Sequence, residues 1–553
     1  MRGRSAAFAV FLALACNEVL GLDPGKLMAE GGGGGGFAGS RGEGGSTPAP
    51  GNGSGRGGSS SGTGNASNGD GGDGGVPCST TVDCIERGQA WPPYLCLAGA
   101  CVDVLTEECD TLLGAEWLED HPQDQPIVFG ALADNVDELS ASYWSLELAM
   151  REFAEHGPIP IDGIPQRPLL LLCRGSASDP DSMSIRRRLD HLLDEVGVPG
   201  IVMIQSLAER LASIEYALTQ KEADAFFMDV GMTSELLSII PDDGRVWHML
   251  GDADGFGPLF YPLVRLVEEH VNPGASNGNG ARLTRLVMIP PVENDGFESE
   301  MARSVEAGVF LNDRLMVANP DTYQKVIVRD GPITAAIETA DLRPDIVIDF
   351  AGIYDLIDRY VGQRGVSRAP FYILPPSQVG SPVLRERVAS SPHLQTRVLG
   401  VGHAGPDEEH EPLYDAYLER LAAIAPPEVD GSTSANVYEA VYFLAYAAVA
   451  GGTGGSNMNT GMTRLIDLVT DARRDIGPTT IDSVLDLLRS SESLSLHGAL
   501  GPPSFIPQSG GRSMPASVWC IDENLEYVMD ALHLVPGEVI LQDLVGPFPC
   551  FFL

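Results

Sequence analysis

The number and spacing of the cysteines in this chain indicate their chemistry more directly than those of any other residue type. The sequence has nine cysteines, and five of them stand close together: Cys78, Cys84, Cys96, Cys101 and Cys109. A structural zinc site prefers paired cysteines two residues apart, whereas five, eleven, four and seven residues separate these. A segment this short also has too small a core to fold without covalent links. The spacing therefore favours disulfides over a metal site.

The first cysteine, Cys16, ends a short apolar run that begins at Phe8 and that two arginines precede. A basic start, a short apolar stretch and small residues before a cleavage point are typical of a secretory signal. The run is too short to cross a bilayer, which takes about 20 apolar residues. The sequence Leu-Ala-Leu-Ala before Cys16 resembles a bacterial lipobox, which predicts lipid attachment at Cys16 and an extracytoplasmic, membrane-anchored protein. A plain secreted protein is the alternative.

Outside the cytoplasm, the eight cysteines other than Cys16 are expected to form disulfides. Beyond the five named above, these are Cys173, Cys520 and Cys550. The first group has an odd number, so we favour the pairs Cys109–Cys173 and Cys520–Cys550. One sequence does not fix the connectivity, and the other pairings stay open.

Other residues with possible chemistry lie in patterns that fit no known site. The segment from His403 to Glu411 is rich in histidine and acids, but it lacks the paired histidines of a zinc-protease helix, so an acidic loop is favoured. The acidic turn from Gly251 to Gly257 lacks the glycine and glutamate positions of an EF-hand. The sequence contains neither a Gly-x-Ser-x-Gly elbow nor a phosphate loop. We therefore expect no enzyme, no metal and no cofactor.

Composition divides the chain before any fold is considered. The 553 residues carry a formal charge of −41, from 76 acidic and 35 basic residues, and this field repels nucleic acid. A nucleic-acid partner is therefore not expected. After the signal at 1–16, residues 17–75 are rich in glycine and serine and predict a disordered tether, because they bury too little apolar surface to fold. Residues 76–110 form the cysteine-rich module.

From Pro126 onward, short apolar runs alternate with amphipathic segments. The predicted strands are 127–132, 168–173, 200–204, 225–230, 286–289, 314–317, 345–350, 370–374 and 398–401. Continuous apolar strands separated by helices are typical of a parallel sheet covered on both faces. The alternation restarts near Arg282, so the sequence predicts two α/β lobes. Further helices are expected from about 413, 434, 462 and 480, followed by short antiparallel strands.

The order of these segments resembles that of the type I periplasmic binding proteins, in particular the branched-chain amino-acid-binding group. Four stretches carry the resemblance: Leu148–Phe153, Leu192–Val202, Met228–Leu236 and Asn436–Ala447. The resemblance implies an α/β fold of two Rossmann-like lobes with a hinge, behind the small disulfide-rich module. Lobe one would take residues 127–248 and 413–500, and lobe two would take 283–405 and 505–553.

The resemblance also implies a ligand site in the cleft between the lobes. Four positions of lobe one match the family's site: Gln205, Ser206, Thr233 and Ser234. In lobe two, Asp349 and Tyr354 come at and after the end of the predicted strand 345–350 and are expected to face the cleft. The lobe-one hydroxyls and backbone N–H groups would hold an amino acid's carboxylate, and the lobe-two acid would receive its ammonium. Asp229 adds negative charge beside the first group, which disfavours a free carboxylate. Helix capping is the alternative role of these hydroxyls.

The leading hypothesis is a lipid-anchored solute-binding protein that holds a small, amino-acid-like ligand for transport or sensing. Its partners would be that ligand, the membrane through the lipid, and an ABC-type permease. The second hypothesis is a surface interaction lipoprotein that keeps the fold but has a cleft that binds no ligand. An enzyme would need acids and a nucleophile in one pocket, which the sequence does not show.

Overall fold

The computed structural model describes residues 77–534, except for several short segments within that range. These are 87–93, 135, 176–181, 252, 275–281, 293–295, 364–368, 380, 392–393, 395, 404–405, 515, 522–524, 526 and 529–532. Cys16, the predicted tether and Cys550 lie outside the described residues. Among the helices described, none has the length and apolar character that crossing a membrane requires.

The described strands fall into two large sheets and three short ribbons. They are β1 Tyr94–Leu97, β2 Ala100–Asp103, β3 Thr111–Leu113, β4 Gln125–Asp134, β5 Ile159–Ile161, β6 Ile164–Gly175, β7 Gly200–Ile204, β8 Phe226–Asp229, β9 Val246–His248, β10 Leu286–Ile289, β11 Phe310–Leu311, β12 Arg314–Leu315, β13 Tyr323–Lys325, β14 Ile346–Asp349, β15 Phe371–Leu374, β16 Val398–His403, β17 Arg473–Asp475, β18 Ser495–His497, β19 Ala516–Ile521, β20 Tyr527–Val528 and β21 His533–Leu534.

The described α-helices alternate with these strands through most of the chain. They are α1 Thr81–Glu86, α2 Ala115–Asp120, α3 Ala141–His156, α4 Ser182–Asp190, α5 Leu207–Ile214, α6 Glu235–Ser238, α7 Ala253–Val271, α8 Phe297–Gly308, α9 Pro332–Leu342, α10 Tyr354–Gln363, α11 Pro382–Ser390, α12 Glu411–Ile424, α13 Ala435–Gly451, α14 Gly455–Leu465 and α15 Ile481–Arg489. The helices α4 and α5 continue as π-helical turns, His191–Val196 and Glu215–Gln220.

The two large sheets share one topology. In lobe one the parallel strands run in the order β6-β4-β7-β8-β9, and in lobe two they run β13-β10-β14-β15-β16. In each lobe the first parallel strand in the chain, β4 or β10, lies between the second, β6 or β13, and the third, β7 or β14. In such sheets the crevice between the first and third strands, at their carboxyl ends, is where ligands bind. The antiparallel β19 extends the lobe-two sheet beyond β16.

Each sheet is buried between two layers of helices, as its apolar strands require. In lobe one, α3 and α12–α15 cover one face, and α4 and α5 cover the other. In lobe two, α7 and α8 cover one face, and α9–α11 cover the other. The chain passes between the lobes three times: between β9 and α7, between β16 and α12, and between β18 and β19. The predicted α/β fold of two Rossmann-like lobes is confirmed.

The cysteine-rich module is a small hairpin held by two disulfides. Strands β1 and β2 pair through a two-residue turn at Ala98 and Gly99, both with positive φ, as a tight hairpin demands. The bonds are Cys78–Cys96 and Cys84–Cys101. A third bond, Cys109–Cys173, links the end of the module to β6 and is the pairing expected from the sequence. Cys520 is also disulfide-bonded; Cys550 lies outside the described residues, so that pairing stays a prediction.

One strand of lobe two differs from the sequence prediction. The predicted strand 314–317 is a two-residue arm of the β11–β12 hairpin followed by a 3-10 turn at Met316–Ala318. The second parallel strand of the sheet is instead β13, with the sequence Tyr-Gln-Lys. An edge strand with partly exposed residues lacks the continuous apolar run by which buried strands are recognised.

Candidate functional site

The candidate site lies where the carboxyl ends of the two sheets meet. Leu207 follows β7 in lobe one, and a Cβ added to Gly296, which precedes α8 in lobe two, would lie 3.0 Å from its side chain. Ser234 follows β8, and its hydroxyl donates to the Oε1 of Glu300 on α8, at 2.5 Å. These contacts show that the carboxyl edges of the two sheets face one another.

Gln205 and Ser206 stand side by side after β7 but differ in environment. Gln205 is buried, its Nε2 donates to the Oε2 of Glu209 at 3.0 Å, and its Oε1 accepts from the hydroxyl of Ser213 at 3.1 Å. Ser206 is exposed and precedes α5, and its hydroxyl forms no cap with that helix. The Gln205 amide is thus used inside lobe one, whereas the Ser206 hydroxyl is accessible.

Thr233 and Ser234 follow β8 and are both buried. The Thr233 hydroxyl donates to the carbonyl oxygen of Leu250 at 3.2 Å, which ties it to the first connection between the lobes. Ser234 accepts from the backbone N–H of Leu236 at 3.2 Å and so caps α6 while it donates to Glu300. The capping role that the sequence left open is therefore present at Ser234, together with a contact across the cleft.

Asp349 and Tyr354 lie at the facing edge, in lobe two. Asp349 ends β14 and is fully buried, and its Oδ1 accepts from the backbone N–H of Ala351 at 3.0 Å. Burial raises the pKa of Asp349 to about 7. Tyr354 begins α10 and is also fully buried. The Arg387 guanidinium lies over its ring, 5.8 Å from the ring centroid. Both side chains are packed within lobe two, and a direct role in ligand binding stays a prediction.

The structure shows a polar cluster that sequence analysis missed. Glu209, on the first turn of α5, receives the Gln205 amide and the Nη2 of Arg188 at 3.3 Å. Burial, reinforced by the Asp134 carboxylate, raises the pKa of Glu209 to about 7. Arg188 is almost fully buried, and its Nε and Nη1 have no hydrogen-bond partner among the residues that the structure describes. The cluster lies between β4 and β7, the crevice that the sheet order marks as the ligand position.

A second cluster explains the negative charge that the sequence placed beside the site. Asp229 is fully buried and accepts from the Nη1 of Arg210 at 2.7 and 2.6 Å and pairs with the Nδ1 of His248 at 2.9 Å. Burial alone would raise the pKa of Asp229, but Arg210 and His248 hold it below its ordinary value. Asp229 is therefore neutralised inside lobe one rather than exposed to a ligand.

Two solved structures are similar to this chain over most of its length. One is the branched-chain amino acid transporter substrate-binding protein LivJ from Streptococcus pneumoniae, in complex with isoleucine, with 13% identity, a TM-score of 0.50, and 74% of this chain and 100% of that chain covered. The other is an ABC transporter solute-binding protein from R. palustris in complex with 4-hydroxybenzoate, with 11% identity, a TM-score of 0.51, and coverage of 74% and 96%. No protein-family profile and no curated protein matches the sequence.

This chain has the type I periplasmic-binding-protein fold. The likeness extends through both lobes, because three-quarters of this chain covers the whole of LivJ. Identity this low shows the fold only, so what the binding-protein cleft holds has to be argued from its own side chains.

The binding-protein fold also accounts for residues that the sequence singled out for other chemistry. The Asp407 carboxylate accepts from the backbone N–H of His410 at 3.0 Å, just before α12. The Nδ1 of His410 lies 2.6 Å from Asp407, and its Nε2 lies 2.7 Å from the Nδ1 of His497. The described part of the predicted acidic loop is a turn that leads into α12. Cys173 is in a disulfide. Among the described residues, the cysteines of the module form the one set placed closely enough to bind a metal, and they are disulfide-bonded.

A separate cavity of about 350 Å³ lies in lobe one, away from the cleft. Its lining includes Pro199 and Ala225, which directly precede β7 and β8, so it opens at the amino ends of the strands. The Lys221 amine on its wall donates to Asp190 at 2.6 Å and to Asp194. The cationic group of this cavity is thus already paired with the protein's own acids.

Proposed function

We propose that this protein is a lipid-anchored, extracytoplasmic solute-binding protein that holds a small, amino-acid-like ligand between its two lobes. The observation that supports it most is the contact between the carboxyl edges of two sheets of identical strand order. Ligands of open α/β sheets bind at that edge, and two facing edges enclose a solute when the lobes close. A small solute is therefore the natural occupant of this cleft.

The ligand class follows from the groups that remain available in lobe one. Ser206 keeps an exposed hydroxyl at the start of α5, and no side chain of its own caps that helix. The N-terminus of a helix favours a negatively charged group, and here the backbone N–H of Ser206 already donates to the Oδ2 of Asp134 at 2.7 Å. The similar proteins bind isoleucine and 4-hydroxybenzoate, both of which carry a carboxylate. A carboxylate-bearing solute such as an amino acid therefore suits this site.

The ligand experiment is a thermal-shift screen of the purified protein against amino acids, amides, polyamines and benzoates. A ligand present at about 100 times its Kd stabilises the folded state by about 2.7 kcal/mol. We expect at least one carboxylate-bearing solute to raise the melting temperature. In Ser206→Ala the Kd for that solute should rise about tenfold, the loss of about one hydrogen bond to a charged group, while the ligand-free melting temperature stays unchanged.

Ser490→Ala is the matched control, because Ser490 is an exposed serine of lobe one that follows α15. It should leave both the Kd and the melting temperature as they are. A screen in which no solute raises the melting temperature contradicts the proposal. If a solute binds with the same Kd to Ser206→Ala and to the wild type, the protein still binds a solute but Ser206 is not part of the site.

The membrane anchor is proposed on the sequence of the first 75 residues. Cys16 would carry the lipid, and the glycine-rich stretch would hold the lobes away from the membrane surface. An ABC-type permease is the expected partner, since the similar proteins are transporter substrate-binding proteins. Metabolic labelling with an alkyne fatty acid should mark the wild type and not Cys16→Ser. Equal labelling of both would exclude lipid attachment at Cys16.

A surface interaction lipoprotein with a closed, ligand-free cleft is the second candidate. It is favoured by one observation: Gln205, Thr233 and Ser234 are all hydrogen-bonded to the protein itself. For this candidate the thermal-shift screen stays silent, and a protein or polymer partner stabilises the fold instead. The two candidates thus predict opposite results in the same screen.

A further inference from the structure

One short segment of lobe one reaches across the cleft. Residues 231–234, here named the strap, follow β8 after one intervening residue, Val230. The Met232 side chain packs against the apolar cluster of lobe two that α7 and α8 build. Ser234 donates its hydroxyl to Glu300 at 2.5 Å, and both side chains are buried, with 0% and 6% of their surface exposed. The strap therefore joins the lobes by one apolar and one polar contact.

The strap is held rigidly on its own lobe. The Nη2 of Arg210 donates to the carbonyl oxygen of Met232 at 3.1 Å, and the same guanidinium lies against Gly231, where an added Cβ would come within 2.5 Å. The backbone N–H of Thr233 donates to the carbonyl oxygen of Gly251 at 3.3 Å. Because both ends of the strap are fixed, Ser234 is presented to lobe two in a defined position.

We propose that the Ser234–Glu300 contact is a latch that holds the cleft closed in the absence of a solute. A hydroxyl that donates to a carboxylate forms a bond about twice as strong as a bond between neutral groups, and burial shields this one from water. Glu300 is an internal carboxylate, so it occupies the hydroxyl of Ser234 that a solute would otherwise reach. A solute must then open the latch, and its apparent affinity falls in proportion to the fraction of open protein.

This inference rests on the proposed function only for its effect on affinity, because latch opening can be measured without a ligand. Single-molecule energy transfer between dyes on unnatural amino acids at Leu468 and Ile333 reports the distance between the lobes. Both side chains are more than half exposed, one on each lobe. In the full-length wild type we expect one high-transfer population.

Ser234→Ala and Glu300→Ala should each move the population to lower transfer. The double variant should open the lobes no further than either single variant, because the two side chains form one contact. Glu300→Gln keeps the shape of the side chain and a hydrogen-bond acceptor but loses the charge, so it should open the lobes less than Glu300→Ala does. Because it preserves the packing, it separates loss of the latch from a folding defect. The control is Ser184→Ala, which breaks a bond from Ser184 to Glu108 of 3.3 Å outside the cleft and should leave the distance unchanged.

With a solute found in the screen, Glu300→Ala should bind it about tenfold more tightly than the wild type does, because this variant opens the latch and frees the Ser234 hydroxyl, whereas Ser234→Ala opens the latch but removes that hydroxyl. Transfer distributions that are the same in the wild type, Ser234→Ala and Glu300→Ala overturn the latch. If the latch variants open the lobes but no solute binds in the screen, the latch is upheld and the proposed function is contradicted. The two failures are therefore distinguishable.

Discussion

Arg210→Met is expected to remove about 3–5 kcal/mol from the free energy of unfolding, a typical cost of breaking a buried ion pair on one side. Asp229 is fully buried, and Arg210 supplies two of its hydrogen bonds. Without the guanidinium, the Asp229 carboxylate keeps its desolvation penalty and retains its contacts with the Nδ1 of His248 and the backbone N–H of Gly231. Urea unfolding at pH 7, followed by circular dichroism, measures the loss.

The loss should also depend on pH in a definite direction. The pKa of Asp229 is held below its ordinary value in the folded protein, so the pairing stabilises the fold above the unfolded pKa and is lost as the pH falls. In Arg210→Met the cation that lowers the pKa of Asp229 is gone and burial raises that pKa, so the deficit should shrink as the pH falls toward 4 and Asp229 of the variant takes up a proton. Addition of Asp229→Asn to Arg210→Met should recover part of the stability at pH 7.

The control for this variant is Arg489→Met, which removes an ion pair with Asp486 in which both side chains are more than half exposed. Such a surface pair contributes between 0 and about 1 kcal/mol. If Arg210→Met and Arg489→Met destabilise the protein equally, the Arg210–Asp229 pair does not matter to the fold. Because Arg210 also holds the strap at Met232, Arg210→Met should open the lobes in the energy-transfer assay as well.

The second large effect is expected from loss of the disulfide between Cys109 and Cys173. The bond closes a loop of 64 residues, which contains β3 to β6 and the helices between them. In the chain-entropy description, a crosslink of this length stabilises the fold by about 4 kcal/mol, because it restricts the unfolded chain. The double variant Cys109→Ala, Cys173→Ala should lose about that much in urea unfolding without reductant.

The matched control removes Cys78 and Cys96, whose bond closes a loop of only 18 residues within the module. This change should loosen the hairpin β1–β2, which the Cys84–Cys101 bond still holds. Hydrogen exchange would detect the loosening, and the unfolding of lobe one should stay nearly unchanged. An equal loss of lobe stability from both double variants would contradict the loop-length argument. Retention of full stability without Cys109 and Cys173 would show that β6 is fixed by packing alone.

The fold was predictable from the sequence where buried strands appear as continuous runs of apolar residues. Strands such as β4, β7, β8 and β14 are buried on both faces, so nearly every residue in them is apolar and the run stands out. The restart of the pattern near Arg282 gave the second lobe for the same reason. Strand β13 was missed because its exposed polar residues resemble those of a loop.

The candidate site was predictable only in position. Gln205, Ser206, Thr233 and Ser234 do lie at the carboxyl ends of β7 and β8, because residues that follow parallel strands share one edge of the sheet. Their hydrogen-bond partners were not predictable. Asp229 looked like a free charge beside the cleft, and the residues that neutralise it stand 19 positions away on either side.

By itself, then, the sequence determined the two-lobe α/β architecture, the disulfide-bonded module and the edge at which the polar residues lie. Apolar periodicity and cysteine spacing are local properties, and they report what each segment must bury. The tertiary structure alone decided which polar groups meet: Arg210 with Asp229, and Ser234 with Glu300, 66 residues further along the chain and in the other lobe. Such pairs depend on how distant segments are packed together, and local patterns carry no record of that packing.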